Sequence, residues 1–153
     1  MAYLGIDPGK SGAIAIVDSD GFTMDWIGFH ETQHDVSKFV KLYGPMIDFA
    51  IVEKVGARPG NGASSMFVFG ASYGFGLGLL VHEGIAFEIH TPSKWQKRLG
   101  LIRPKMSRAE KKKVNKEAAQ RIFKNAPKII HRNADAFLIA EYARRYRLGV
   151  CDG

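Results

Sequence analysis

Apolar residues enter the chain in short runs cut by polar or glycine punctuation, at Tyr3–Ile6, Ala13–Asp18 and Phe22–Phe29. This pattern predicts three strands in an antiparallel meander, with "DSDG" at 18–21 as the turn between the second and third. The period then changes. Val36, Phe39, Val40 and Tyr43 recur at helical spacing inside "HDVSKFVKLYG", 34–44, and Gly44 with Pro45 stops that helix. "DFAIVEKV" at 48–55 returns to the near-continuous apolar run of a strand buried on both faces.

A second helix is predicted over Ser64–Glu83, apolar on nearly every side, with Gly70, Gly74 and Gly78 at spacing four. A face without side chains suits the close approach of another helix. Core packing on its own sheet and a subunit interface are both open, on opposite faces. The longest apolar stretch, 66–81, is broken by glycines and short for a bilayer span, so no membrane partner is expected. "AFEIHTP" at 86–92 reads as a fifth strand ending at Pro92, and "SKWQKRLG" as a capped helix start. Residues 102–113, "IRPKMSRAEKKK", lack an apolar period and read as a mobile loop. Ser107 is placed to cap "RAEKKKVNKEAAQRIF", whose inner stripe is Val114, Ala118, Ala119, Ile122 and Phe123. The last helix is expected over Ala134–Leu148, with Asn133 as its cap and Phe137, Leu138, Ile139, Ala140 and Ala143 on its buried side. The elements make one α/β domain over residues 1–153, a mixed five-stranded sheet (antiparallel meander plus parallel strands) flanked by helices. No repeat or low-complexity linker interrupts it.

Composition narrows the chemistry. The 153 residues suffice for one hydrophobic core. The single cysteine, Cys151, allows no intramolecular disulfide and no cysteine-based zinc site, which with the lack of a leader points to a reducing cytoplasmic setting. Net charge is +7, unevenly spread. Between Lys94 and Lys128 lie thirteen lysines and arginines against Glu110 and Glu117, a balance of +11, while the remainder has nine against thirteen acids, a balance of −4. Such a basic segment on a mildly acidic body suits a polyanion, or is a solvated helix face.

Three acids stand in apolar surroundings: Asp7 in "LGIDPG", Glu53 in "FAIVEKV" and Asp135 in "NADAFLIA". Taken singly, each could cap a turn or face a helix dipole. Taken together, two come from the ends of neighbouring strands and one from the first turn of a helix, an arrangement that can gather them around a divalent cation. Clustered carboxylates repel, and Mg²⁺ or Mn²⁺ is the usual compensation for hard oxygen donors. Two such ions can generate an attacking hydroxide and stabilise a leaving 3′ oxygen at a scissile phosphate.

"GIDPGKSGAIAIV" resembles the first strand and turn of the RuvC-type Holliday junction resolvases of the RNase H-like superfamily. The order of "VEKV", a glycine-rich helix, "HTPSKWQKRLGL", a basic stretch and "HRNADAFLIAEYARR" is similar along essentially the whole chain. The size and the closing "ADAFLIAEYARR" are most similar to compact, phage-type members. The resemblance implies an RNase H-like fold and a homodimeric Mg²⁺-dependent endonuclease of four-way or other branched DNA, with two metal ions, Mn²⁺ being able to substitute. A phage-encoded protein would work in the cytoplasm of its bacterial host. Asp7, Glu53 and Asp135 carry over as metal-binding acids. The family's fourth ligand, an Asp or His, commonly lies three residues before the last Asp; that position is Arg132, which cannot ligate a cation. His131, four residues before Asp135, takes the place instead, or else serves as a loop histidine facing phosphate or solvent. Lys105, Arg108, Lys111, Lys112 and Lys113 are then DNA-contact candidates, with Lys10 and with Arg58 in the loop after Glu53. The 102–113 loop is expected to order on DNA, and the helix 64–83 is where the dimer interface is expected.

Two other classes fit parts of the pattern. An actin or sugar-kinase type ATPase also has an Asp-x-Gly turn after its first strand, but needs a second glycine-rich phosphate loop that this chain lacks. A module that binds branched nucleic acid without cutting it would share the basic segment, but gains nothing from carboxylates near phosphates.

Overall fold

In the computed structural model, which describes residues 1–56, 59–102, 105–125 and 127–150, the first three apolar runs form β1 (Ala2–Asp7), β2 (Ala13–Asp18) and β3 (Thr23–Gly28). The turn at 18–21 is held by the Asp18 carboxylate, which accepts from the backbone N–H groups of Asp20 and Phe22, both at 2.9 Å. α1 (Gln33–Tyr43) is capped by Thr32, whose hydroxyl accepts from the Asp35 N–H at 3.1 Å. A single 3₁₀ turn through Pro45 leads into β4 (Ile47–Glu53). There follow α2 (Ala63–His82), β5 (Phe87–His90), α3 (Pro92–Arg98), α4 (Arg108–Ile122) and α5 (His131–Leu148).

The strands lie in the order β3-β2-β1-β4-β5, antiparallel through the meander and parallel from β1 through β4 to β5. The mixed five-stranded sheet expected from the pattern is therefore present. Period-two alternation splits its side chains between two cores. Tyr3, Ala15, Val17, Phe49 and Ile51 meet α3, α4 and α5 on one face, while Leu4, Ile6, Ile14, Ile16 and Val52 meet α1 and α2 on the other.

Two boundaries differ from the sequence reading. The segment 102–113 is not one loop: α4 begins at Arg108, because Ser107 and Glu110 form a reciprocal capping box that starts the helix despite its missing apolar period. α5 begins at His131 rather than Ala134. Asn133 therefore lies inside the first turn and reaches back, its Oδ1 accepting from the Ile130 N–H at 2.8 Å and its Nδ2 donating to the Lys128 carbonyl at 3.0 Å.

α2 extends through its glycines as twenty residues, the length expected for 64–83; by length and composition alone it is long and apolar enough to cross a membrane, where the stretch 66–81 reads as short for a bilayer span. Its inner side packs Gly76, Leu79 and Leu80 on the sheet. Its outer side is bare: Phe67 is 80% exposed, and added β-carbons at Gly70, Gly74 and Gly78 would meet nothing within 4 Å.

Candidate metal and nucleic-acid site

Strand alternation already aims two of the three acids. Asp7 shares the face of Tyr3 and Gly5, and Glu53 that of Phe49 and Ile51, so both point toward α3 and α5. Each lies one residue beyond the Ile6–Val52 pair of the parallel β1–β4 ladder, which makes them neighbours at the ends of adjacent strands. Close seating of α5 brings the third acid over this edge. A β-carbon at Gly5 would lie 2.3 Å from the Ala136 carbonyl oxygen and 2.4 Å from the Ala140 nitrogen, so the α5 backbone rests directly on β1. Asp135, one residue before Ala136, is thereby held above Asp7.

The turn after Asp7 is fixed as firmly. Gly9 has φ +122°, a conformation open to glycine, and its N–H donates to the Ser72 hydroxyl of α2 at 2.9 Å. The Lys10 carbonyl accepts from Arg132 Nη1 at 3.3 Å, tying the same turn to the start of α5.

Electrostatics records the convergence. Burial first, then the charges of Glu53 and Asp135, push the Asp7 carboxyl well above the usual aspartate value, and the Lys112 charge pulls it back. Asp135 is also raised by burial, against the Asn115 hydrogen bond and the charges of Lys112 and His131, which lower it. Asp7, Glu53, Asp135, His131 and Lys112 thus share one field. Among the described residues no three His, Cys, Asp or Glu side chains are drawn together as a ready-made metal cage. The candidate donors are three hard carboxylates and one imidazole, with ionisation disfavoured by burial at Asp7 and Asp135 and by like charge at Asp7, and that chemistry fits a hard divalent cation.

The other expected cations spread outward. Lys10, Lys105, Arg108, Lys111, Lys112 and Lys113 are all exposed, from the β1–β2 turn to the first turns of α4. Lys105 has φ +62°, the one positive value at a non-glycine among the described residues. Lys113 stands 4.0 Å from Glu117 in an exposed i,i+4 pair. Arg58 lies outside the described residues.

The fold has solved counterparts. The chain is similar to the Thermus thermophilus RuvC structure, with 19% identity over 97% of each chain and a TM-score of 0.64. It is also similar to T. thermophilus RuvC in complex with Holliday junction substrate, with 17% identity over 99% of each chain and a TM-score of 0.68. The chain has the RuvC fold. No protein-family model and no curated protein sequence matches it. The RNase H-like fold expected from the sequence is thereby shown over nearly the full length, while nearness to phage-type members gains no support from these neighbours.

Within this RuvC fold, two side chains that sequence reasoning did not place touch the acids directly. Trp95 of α3 donates its indole N–H to Glu53 Oε2 at 2.8 Å. Asn115 of α4 donates its amide to Asp135 Oδ1 at 2.9 Å. Both are buried. The one available signal for Asn115 was a polar residue next to the apolar stripe of Val114, Ala118 and Ala119, where an amide needs a partner.

Proposed function

We propose that this chain is a metal-dependent endonuclease of branched DNA, with four-way junctions as its principal substrate. The carrying observation is geometric: Asp7 and Glu53 stand next to each other at the ends of β1 and β4 of a RuvC fold, and the α5 backbone is seated on β1 one residue from Asp135. Asp7, Glu53, Asp135 and His131 would hold Mg²⁺, or Mn²⁺ in its place, and two such ions supply an activated water and charge stabilisation of a leaving 3′ oxygen. The chain's own residues do the rest. Lys112, whose charge acts on Asp7 and Asp135, would meet the scissile phosphate. Lys105, Arg108, Lys111 and Lys113, with Lys10 and Arg58, neutralise flanking phosphates, which gives affinity that is strong, salt-dependent and largely independent of sequence.

A four-way junction offers two equivalent strands, and a two-fold dimer addresses both. The bare outer side of α2 supports self-association there. A cytoplasmic location is part of the same reading.

The test is cleavage by wild type and Asp7→Asn of synthetic four-way junctions, forks, flaps and linear duplex in Mg²⁺. Wild type is expected to cut the junction symmetrically and in preference to duplex. The variant should lose more than about 100-fold in rate, beyond what removal of an outer partner costs, yet bind the junction in EDTA. A variant that cuts as fast as wild type would leave only a binding module.

A further inference from the structure

We infer that Trp95 and Asn115 are positioning residues, neutral N–H donors that orient Glu53 and Asp135 toward a divalent cation without cancelling their charge. The inference rests on the proposed metal-dependent function and extends it to residues outside the ligand set. It comes from how differently this chain treats two carboxylates of α5, the buried Glu141 and the half-buried Asp135.

Glu141 lies on α5, the same helix as Asp135, and is 2% exposed. It is neutralised outright: Arg144 donates to Oε2 at 2.7 Å and Oε1 at 2.9 Å, and Arg145 to Oε1 at 2.6 Å. Two guanidiniums on one carboxylate make a closed structural ion cluster with no capacity left for a metal ion. Asp135, under two turns earlier, makes no ion pair among the described residues and takes an uncharged amide instead. Glu53 receives an uncharged indole N–H from Trp95, a side chain with no exposed surface.

The elements that carry the donors are anchored for this task. Trp95 and Ala118–Ala119, the next turn after Asn115, belong to the same hydrophobic core as Phe49, Ile51 and α5. α4 packs on α5, which bears Asp135, and Trp95 of α3 shares a core with Phe49 and Ile51 of β4, which bears Glu53. A neutral N–H fixes the rotation of a carboxylate and leaves its formal charge available, whereas an ammonium or guanidinium would compete with the cation for it. α4 also bears Lys112, one turn before Asn115, so the helix that would meet phosphates is the helix that orients Asp135.

The experiment measures Mn²⁺ binding to the intact chain by titration calorimetry for wild type, Trp95→Phe and Asn115→Leu. Metal-free melting, junction binding in EDTA and the Mg²⁺ dependence of cleavage are followed alongside. Each variant is expected to bind Mn²⁺ about 10–100-fold more weakly, to bind junction as wild type does, and to regain cleavage when Mg²⁺ is raised by a similar factor. Should Trp95→Phe fail to fold, the near-isosteric Asn115→Leu and the smaller Asn115→Ala decide the matter. Wild type that binds Mn²⁺ and cuts, with folded variants matching its Mn²⁺ affinity, would overturn the positioning role and leave the nuclease reading intact. Wild type that neither binds Mn²⁺ nor cuts overturns both.

Discussion

Gly5 and Gly74 lie on opposite sides of the same sheet and do opposite things. At Gly5 a β-carbon would collide with the α5 backbone at 2.3 and 2.4 Å; at Gly74 it would meet nothing within 4 Å. On the α5 side the missing side chain lets a helix settle onto the strand that bears Asp7, so that Asp135 reaches it. On the α2 side the missing side chains leave a smooth outer surface that none of the described residues covers. The contrast separates a face packed to backbone contact from one left open.

The largest effect is expected where the fit is tightest. The atoms that meet a Gly5 β-carbon belong to backbone, which cannot rotate away, so Gly5→Ala must lift α5 off β1. A cost at the upper end of overpacking, about 3 kcal/mol, is expected, lowering the melting temperature by roughly 6–12 °C for a chain of this size. Junction cleavage should fall further than the folded fraction does, since Asp135 moves with α5. Thermal melting and cleavage rates at a temperature where the variant is folded check both. A variant with unchanged melting would show that the α5 face yields as readily as the α2 face.

The acids on the α5 side carry a cost of their own. Because Asp7 ionises at higher pH in the folded chain than in the unfolded one, its contribution is most favourable below the ordinary aspartate range and is lost as pH rises toward the raised folded value. At pH 7 the metal-free protein is therefore destabilised by its own carboxylate. Asp7→Asn removes that charge and is expected to stabilise the metal-free fold at pH 7. The gain should shrink toward pH 4. Mg²⁺ should reverse the ranking, stabilising wild type and leaving the variant unmoved. Parallel melts with pH and Mg²⁺ varied independently test the sign of both effects.

What the sequence revealed follows the same division between local and distant information. The five strands announced themselves because each is a short apolar run with its own punctuation. Asp7, Glu53 and Asp135 stood out because an acid in such a run is conspicuous. Trp95 and Asn115 did not, since their meaning depends on partners 42 and 20 residues away that only packing supplies. Gly5 looked like any strand residue for the same reason. The start of α4 was legible in "SRAE", where Ser107 caps the helix as expected, while the lysines that follow have no apolar period and let 102–113 read as a loop. His131 came forward through the family resemblance, and the structure places its charge in the field of Asp135.

The smallest effect is expected at Gly74, and its sign is the informative part. Glycine inside a helix is less favourable than alanine by about 0.5–1 kcal/mol, and the open space around Gly74 offers no clash within the chain. Gly74→Ala should therefore raise the melting temperature of dilute, monomeric protein by roughly 1–4 °C. If a second copy's helix lies against the Gly70–Gly74–Gly78 face, as the homodimer reading requires, the same methyl group must hold the two helices apart. Self-association should then weaken while the isolated fold strengthens. Sedimentation equilibrium and melting over a dilution series separate the two. Unchanged association together with a raised melting point would keep the contrast with Gly5 but move the dimer contact elsewhere on α2, toward exposed Phe67 or Val81.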